Sequence, residues 1–318
     1  MLGAFLDFQT VSFNDDVRVM PLRAVVDELR LWPTTADAEL HAHAADASVL
    51  FSNKVKLERA LLEALPDLKL ICLAATGTNN VDLQAARERG VAVCNVVSYC
   101  TAAVAQHVFA FILSLNQHLD EYGELLAGGA WKRAPQFTLL DYPIRELTGR
   151  VMGIVGYGEL GSAVAKFAEA FGMRVLIATR NADDTRPERI PLAELLSQSD
   201  VVSLHCPLTP ETRGLIGRQQ LALMKPDAIL INTARGALVD EQALADALRG
   251  GAIGGAGIDV LSEEPPVHGN PLLEPGIPNL IVTPHIAWAT REARQRVIVE
   301  MAANVAAFKK GEKRNRVV

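Results

Sequence analysis

Only four cysteines occur in 318 residues, and none stands in a CxxC pair or at metal-ligand spacing. Cys72, Cys94, Cys100 and Cys206 therefore read as free thiols of a cytoplasmic protein, and no metal site is expected. No apolar run is long and clean enough to cross a bilayer as a helix, so no membrane partner is expected. The opening stretch, Met1 to Asp7, has neither a basic segment nor a cleavage site and reads as a strand, not as a signal peptide. Positive charge is not in excess: 31 Lys and Arg face 37 Asp and Glu, a net charge of -6, which argues against nucleic acid as a partner. The basic residues that do cluster, Lys309, Lys310, Lys313, Arg314 and Arg316, follow a helical pattern and suit a helix C-terminus. Repeats and low-complexity segments are missing too.

What the chain does have is alternation. At roughly 150 residues per domain its length suggests two domains. In the first part, strand-like runs at Leu2–Leu6, Ser48–Phe51, Leu68–Leu73 and Val91–Cys94 alternate with helical patterns at Leu22–Arg30, Lys56–Ala64 and Val81–Arg89. A second series begins at Val151, with strands predicted at Val151–Val155, Arg174–Ala178, Val201–Leu204, Ala228–Asn232, Gly255–Asp259 and Leu280–Val282. Its helices fit at Leu160–Phe171, Pro191–Gln198 and Glu241–Leu248. Several of these strands are apolar on both faces, as in a parallel sheet covered by helices on both sides. Between the two series, Thr101–His118 is apolar nearly all round and reads as a buried connector, a subunit interface, or both. A last helix, Thr290–Lys310, is expected to pack back on the first domain.

Gly156-Tyr157-Gly158-Glu159-Leu160-Gly161 is a GxGxxG sequence directly after the apolar run Val151–Val155 and directly before a helical pattern. Alone the motif is weak, but in this context it reads as a dinucleotide loop. The first Gly turns the chain, the second admits the pyrophosphate to the backbone, and the third lets helix and strand pack closely. The following helix N-terminus offers free N–H groups to the phosphates. An acid is expected about 20 residues on if the cofactor is NAD, to accept from the ribose hydroxyls. Thr179 stands there instead, followed by Arg180 and Asn181. No carboxylate repels a 2′-phosphate and Arg180 can bind one, so NADP(H) is favoured and NAD(H) is the alternative.

Ligands of open parallel sheets bind beyond the carboxyl ends of the strands. Arg235, Glu264 and His285 each follow the end of a predicted strand. Arg235 can pair with a carboxylate or polarise a carbonyl. Hydride arrival at C2 of a 2-oxo acid makes an alkoxide that needs a proton, which His285 can supply. Glu264 can fix the histidine tautomer and stabilise the imidazolium. Singly, each residue would more readily be structural; their shared placement points to one site. His107 and His118 read as packing or interface residues, and His205 as a lining of the cofactor cleft. Asn53, Tyr99, Trp131 and Trp288 are candidates for the substrate pocket.

These residues make the chain resemble the D-isomer-specific 2-hydroxyacid dehydrogenases. The matching segments are Ala74-Ala75-Thr76-Gly77-Thr78-Asn79-Asn80-Val81-Asp82, the glycine loop, and His205-Cys206-Pro207-Leu208-Thr209-Pro210-Glu211-Thr212. Three more are Asn232-Thr233-Ala234-Arg235-Gly236, Asp259-Val260 with Glu264-Pro265-Pro266, and Thr283-Pro284-His285. Within the family the likeness is greatest to the glycerate dehydrogenases, also called hydroxypyruvate reductases. The resemblance implies an α/β fold of two Rossmann-like, doubly wound parallel-sheet domains, the dinucleotide-binding domain (99–285) inserted into a discontinuous flavodoxin-like substrate domain (1–98 and 286–318). It implies Arg235, Glu264 and His285 as catalytic residues. Backbone N–H groups at Ala75, Thr76 and Gly77 would hold the substrate carboxylate, with Arg235 and His285 also touching substrate. Glu159 and Leu160 match the pyrophosphate loop, and Cys206, Thr212, Thr233 and Asp259 match positions lining the nicotinamide and adenosine sites. It further implies reduction of a small 2-oxo acid, hydroxypyruvate or glyoxylate first, and a homodimer through the Thr101–His118 helix. The departure at Thr179-Arg180 resembles the NADPH-preferring members. Two competing readings are a formate- or phosphite-type dehydrogenase, against which Glu264 beside His285 speaks, and a nucleotide-sensing corepressor of the same fold.

Overall fold

The computed structural model describes residues 1–179, 186 and 188–318. It divides into two compact units, one of Met1–Cys100 with Ala289–Val318 and one of Thr101–Trp288.

The first unit carries strands β1 (Leu2–Phe5), β2 (Glu28–Leu31), β3 (Val49–Ser52), β4 (Leu70–Leu73) and β5 (Ala92–Cys94), with helices α1 (Met20–Arg23), α2 (Leu40–Ala44), α3 (Arg59–Ala64) and α4 (Leu83–Glu88) between them. All pairs are parallel and the order is β2-β1-β3-β4-β5, the flavodoxin-type winding. β3 and β4 are buried along their whole length, as their unbroken apolar runs require. α4 starts where Asp82 accepts a hydrogen bond from the Ala85 N–H. One expectation fails here. Leu22–Arg30 is not a helix; Pro21 opens the single turn α1, and Glu28–Leu31 is the edge strand β2. Leu22, Val25 and Val26 complete a helical spacing, but Leu29 and Leu31 alternate with Glu28 and Arg30 as a one-sided edge strand does.

The second unit carries helices α5 (Thr101–Gln117), α6 (Leu119–Ala127) and α7 (Ala130–Arg133), then strands β6 (Val151–Val155), β7 (Arg174–Ala178), β8 (Arg189–Ile190), β9 (Val201–Leu204), β10 (Ile229–Asn232), β11 (Gly255–Ile258) and β12 (Leu280–Val282). Helices α8 (Glu159–Ala170), α9 (Leu192–Gln198), α10 (Arg218–Leu221) and α11 (Glu241–Arg249) lie between strands, and α12 (Arg291–Lys309) returns to the first unit. The sheet is parallel throughout, in the order β12-β11-β10-β9-β6-β7-β8. Counted from β6, this is the 3-2-1-4-5-6 winding of dinucleotide folds with one strand added. The order reverses between β6 and β9, and that is where a ligand crevice forms.

Helix α5 is a core element of this unit. Ala103, Val104, Ala105, Val108, Phe109, Phe111, Ile112 and Leu115 are all buried. The sheet accommodates it through glycines: a Cβ on Gly257 would lie 2.5 Å from the Phe111 ring, and one on Gly255 would meet Leu115 at 3.4 Å. The Gly-rich start of β11 is therefore the seat of a helix. Phe109 in turn stacks on Phe171, with ring centroids 5.1 Å apart.

Candidate active site

Three neighbouring strands end level. Asn232 pairs with Ile258, and Ile258 with Val282, so β10, β11 and β12 finish side by side. Arg235, Glu264 and His285 sit on the three loops that leave these ends. The first loop is a tight turn held by the fully buried Asn232, whose Nδ2 donates to the Arg235 carbonyl at 2.9 Å and whose Oδ1 accepts from the Ala234 N–H at 3.1 Å. The exposed Arg235 guanidinium is anchored through Nη1 to the Ala234 carbonyl at 2.6 Å. Next to it, Gly236 touches the second loop so closely that a Cβ would fall 1.9 Å from the Leu261 carbonyl carbon. Glu264 Oε1 accepts from the Leu261 N–H at 2.9 Å. Its Oε2 lies 2.6 Å from His285 Nδ1, with the two side chains 34% and 27% exposed. A contact chain therefore runs from Arg235 through Gly236 and Leu261 to Glu264 and His285.

A carboxylate can only accept, so Nδ1 of His285 carries the proton in that bond and Nε2 is left to face a substrate. The histidine backbone is held in the left-handed region, φ +56°. Such a conformation costs a non-glycine residue roughly 1–3 kcal/mol. Asp259 offsets it. Its carbonyl accepts from the His285 N–H at 2.8 Å, and its carboxylate accepts from the N–H groups of Ile286 and Ala287, each at 2.8 Å. Asp259 is 1% exposed, and each hydrogen bond to such a charged acceptor is worth about 1.5–3 kcal/mol. Trp288 Nε1 adds a bond to the His285 carbonyl at 3.0 Å. The clamp needs β11 and β12 side by side, so nothing local in the sequence announces it.

The glycine loop follows β6 at the switch point. Gly156 has φ +98°, and a Cβ there would sit 2.5 Å from the Cys206 backbone N. A Cβ on Gly161 would strike the Gly156 carbonyl oxygen at 2.1 Å. Gly158 is the N-cap of α8 and has no heavy atom within 4 Å of its would-be Cβ. So two glycines close the turn and the third opens it, the cradle that a pyrophosphate needs. The Glu159 carboxylate, which would repel phosphate, accepts from the Thr101 hydroxyl. Leu160 follows it in the first turn of α8.

Across the crevice, Cys206 is buried and the Thr233 hydroxyl is buried without a hydrogen-bond partner among the described residues. That orphaned hydroxyl beyond β10 suits a polar ligand atom, so the residues present fit a dinucleotide. Thr212 shapes its own loop, accepting from the Thr209 N–H at 2.7 Å and donating to the Pro207 carbonyl at 2.8 Å. His205 is part of the floor under Gly156; its Nε2 is 2.8 Å from Ser203 Oγ, and burial pushes its pKa down to about 4. Thr179 follows β7, its N–H bonded to the Ile190 carbonyl at 2.9 Å, and occupies the position where an acid is expected for NAD. Arg180 and Asn181, on which the NADP(H) expectation rests, lie outside the described residues.

Ala75, Thr76 and Gly77 belong to the first unit, on the loop after β4. That loop is braced by Thr76 Oγ1 donating to the Val96 carbonyl and Asn95 Nδ2 donating to the Thr76 carbonyl, both 2.8 Å. Asn53, in the same unit, is 4% exposed; its N–H and Nδ2 bond to Asp7 and Thr10. Burial pushes the Asp7 carboxyl up, while the N–H groups of Asn53, Lys54 and Val55 pull it back. Tyr99 is buried, whereas Trp131 is 53% exposed and bonds to the Phe137 carbonyl.

Residues 109–287 match the family model described as D-isomer specific 2-hydroxyacid dehydrogenase, NAD binding domain. The chain is 47% identical over 271 residues to a glycerate dehydrogenase of Methylorubrum extorquens, covering 85% of each protein. It is 41% identical over 277 residues to a hydroxypyruvate reductase of Blautia hydrogenotrophica, covering 86% of this chain and 85% of that one. Among solved structures it superposes on the D-lactate dehydrogenase of Aquifex aeolicus complexed with NAD and lactic acid. There the TM-score is 0.80 and the identity 31%, over 98% of this chain and 96% of the other.

Proposed function

The chain belongs to the D-isomer specific 2-hydroxyacid dehydrogenases, and from that premise we propose that it reduces hydroxypyruvate or glyoxylate at C2, preferring NADPH, with His285 as the acid–base group. The observation that carries the chemistry is the 2.6 Å bond between His285 Nδ1 and Glu264 Oε2 on a backbone clamped by Asp259. The bound nicotinamide dinucleotide supplies the hydride. Arg235 pairs with the substrate carboxylate and draws charge from the carbonyl. His285 hands its Nε2 proton to the oxygen that gains charge, and Glu264 stabilises the imidazolium before transfer. In the reverse direction the same nitrogen takes the hydroxyl proton. The backbone N–H groups of Ala75, Thr76 and Gly77 are assigned to the carboxylate, and Thr179 with Arg180 to the 2′-phosphate. The relatives named glycerate dehydrogenase and hydroxypyruvate reductase support the substrate class.

The test is oxidation of NADPH and NADH against hydroxypyruvate, glyoxylate, pyruvate and phenylpyruvate. The first two acids are expected to give the highest kcat/KM. Arg180→Ala should lower the NADPH/NADH ratio of kcat/KM by about tenfold or more, the worth of one charge-assisted hydrogen bond. An unchanged ratio sinks the 2′-phosphate assignment, and no turnover with either small acid sinks the substrate assignment.

We also propose a homodimer, with the surface that follows the Thr101–His118 helix at its interface. The apolar side chains of α5 are buried inside their own unit, leaving Ala102, Gln106 and Ala110 exposed. The apolar surface lies beyond it: Leu119 is 58% exposed, Phe137 89% and Leu140 81%. Large apolar side chains this exposed suit an interface. Sedimentation should give twice the chain mass, and Phe137→Asp with Leu140→Asp should give the monomer; a wild-type monomer would refute the assignment.

A further inference from the structure

His107 sits on the inner face of α5, where the sequence suggests only packing. The helix runs antiparallel to β11 and in step with it: Leu115 lies over Gly255, Phe111 over Gly257 and His107 beside Asp259. Four helical residues advance about 6 Å and two strand residues about 6.6 Å, so the match persists over two turns. The imidazole meets the Phe111 ring edge-on, with centroids 4.6 Å apart. Its Nε2 is 3.0 Å from Thr283 Oγ1 and 3.7 Å from Asp259 Oδ1. Thr283 donates its hydroxyl proton to Asp259 Oδ1 at 2.5 Å. The threonine oxygen must then accept from His107, which assigns the proton to His107 Nε2. Burial holds the imidazole below its ordinary pKa against the opposing pull of Asp259, in keeping with a neutral ring that donates at Nε2.

We propose that His107 is a positioning residue for the reaction, acting through the Thr283 hydroxyl and the Asp259 carboxylate on the turn that holds His285. The same Oδ1 of Asp259 that receives the Thr283 proton also receives the Ile286 N–H. Asp259 makes no ion pair with a Lys or Arg among the described residues; its carboxylate is held in a chosen rotamer by neutral donors. His107 fixes the threonine rotamer, the threonine fixes the carboxylate, and the carboxylate fixes the amides of residues 286 and 287. His107 thus reaches the proton-transfer geometry without touching substrate. This inference rests on the proposed role of His285.

The test compares His107→Gln, which keeps an N–H donor at the position of Nε2, with His107→Leu, which keeps bulk and loses the donor. The first readout is amide hydrogen exchange of Ile286 and Ala287 in the full chain. His107→Leu should speed it about tenfold relative to wild type, by opening a local unit, and His107→Gln should leave it within about twofold. The second readout is kinetics with hydroxypyruvate. His107→Leu should lower kcat about tenfold, below the ~100-fold that a 1 Å misplacement costs. His107→Gln should restore kcat. Adding His107→Leu to Thr283→Val should cost nothing further, because His107 acts only through the threonine hydroxyl. Equal exchange in the two His107 variants, or a double variant whose losses multiply, overturns the proposal. A wild-type protein that turns over no 2-oxo acid refutes the proposed function instead, and the exchange comparison still decides the role of His107.

Discussion

Replacing His285 should lower kcat for 2-oxo acid reduction by about two to four orders of magnitude, the usual contribution of a positioned acid–base group. Two variants separate chemistry from strain. The residue sits at φ +56°, where alanine is strained by roughly 1–2 kcal/mol and asparagine is tolerated. His285→Ala therefore perturbs both the turn and the proton donor, whereas His285→Asn removes the donor and spares the turn. Comparable losses of kcat in the two place the effect in proton transfer. The glycine loop joins β6 to α8, whereas His285 follows β12, so cofactor affinity, measured by fluorescence titration, should stay within about twofold of wild type. Stopped-flow rates at saturating cofactor would report the loss directly. A His285→Asn enzyme within tenfold of wild type would remove His285 from the mechanism. The proton would then have to come from solvent, and the 2.6 Å bond to Glu264 would be structural only.

Much of this arrangement can be read along the chain, and the limits of that reading are physical. β9 and β10 are buried on both faces, so their apolar runs admit no other assignment in an α/β chain. The switch-point loop is legible because its three glycines answer three separate steric demands within six residues. The edge strand β2 is not legible, because one exposed side lets charged residues interrupt the pattern. β8 has two residues, too few for any period. In the site, Arg235, Glu264 and His285 are visible as polar residues at a fixed distance past apolar runs. What supports them is not. Asn232 and Gly236 pass as parts of a motif, although one staples the Arg235 turn and the other sets the spacing to Leu261. The Asp259 clamp depends on β11 lying beside β12. His107 reads as one more residue of an apolar helix until Gly255 and Gly257 seat that helix on the strand. Each of these is a relation between segments, and periodicity within one segment carries no record of it.

Gly236 gives the sharpest consequence. A methyl group there would lie 1.9 Å from the Leu261 carbonyl carbon and 2.3 Å from both its oxygen and the Ser262 N. All three atoms are backbone, so no side-chain rotation relieves the overlap and the loops after β10 and β11 must part by an ångström or more. Overpacking a closed site commonly costs about 1–3 kcal/mol, and a backbone-to-backbone clash belongs at or above the top of that range. The geometry suffers as well. Arg235 immediately precedes the glycine, and Glu264 is bound to the Leu261 N–H, so separating the loops moves the guanidinium away from the Glu264–His285 pair. A misplacement of about 1 Å costs on the order of 100-fold in rate. Gly236→Ala is therefore expected to lose about 3 kcal/mol in denaturant unfolding and at least about 100-fold in kcat/KM, corrected for the folded fraction. Gly254→Ala is the control. Its Cβ would meet the Asp227 backbone at 2.7 Å, a milder clash but also against backbone, at the opposite end of β11. It should cost stability and leave the turnover of the folded fraction near that of wild type. If both variants lost stability and kept turnover, the contact between the two loops would bear on folding alone. The Arg235-to-Glu264 spacing would then have to be set by substrate on binding.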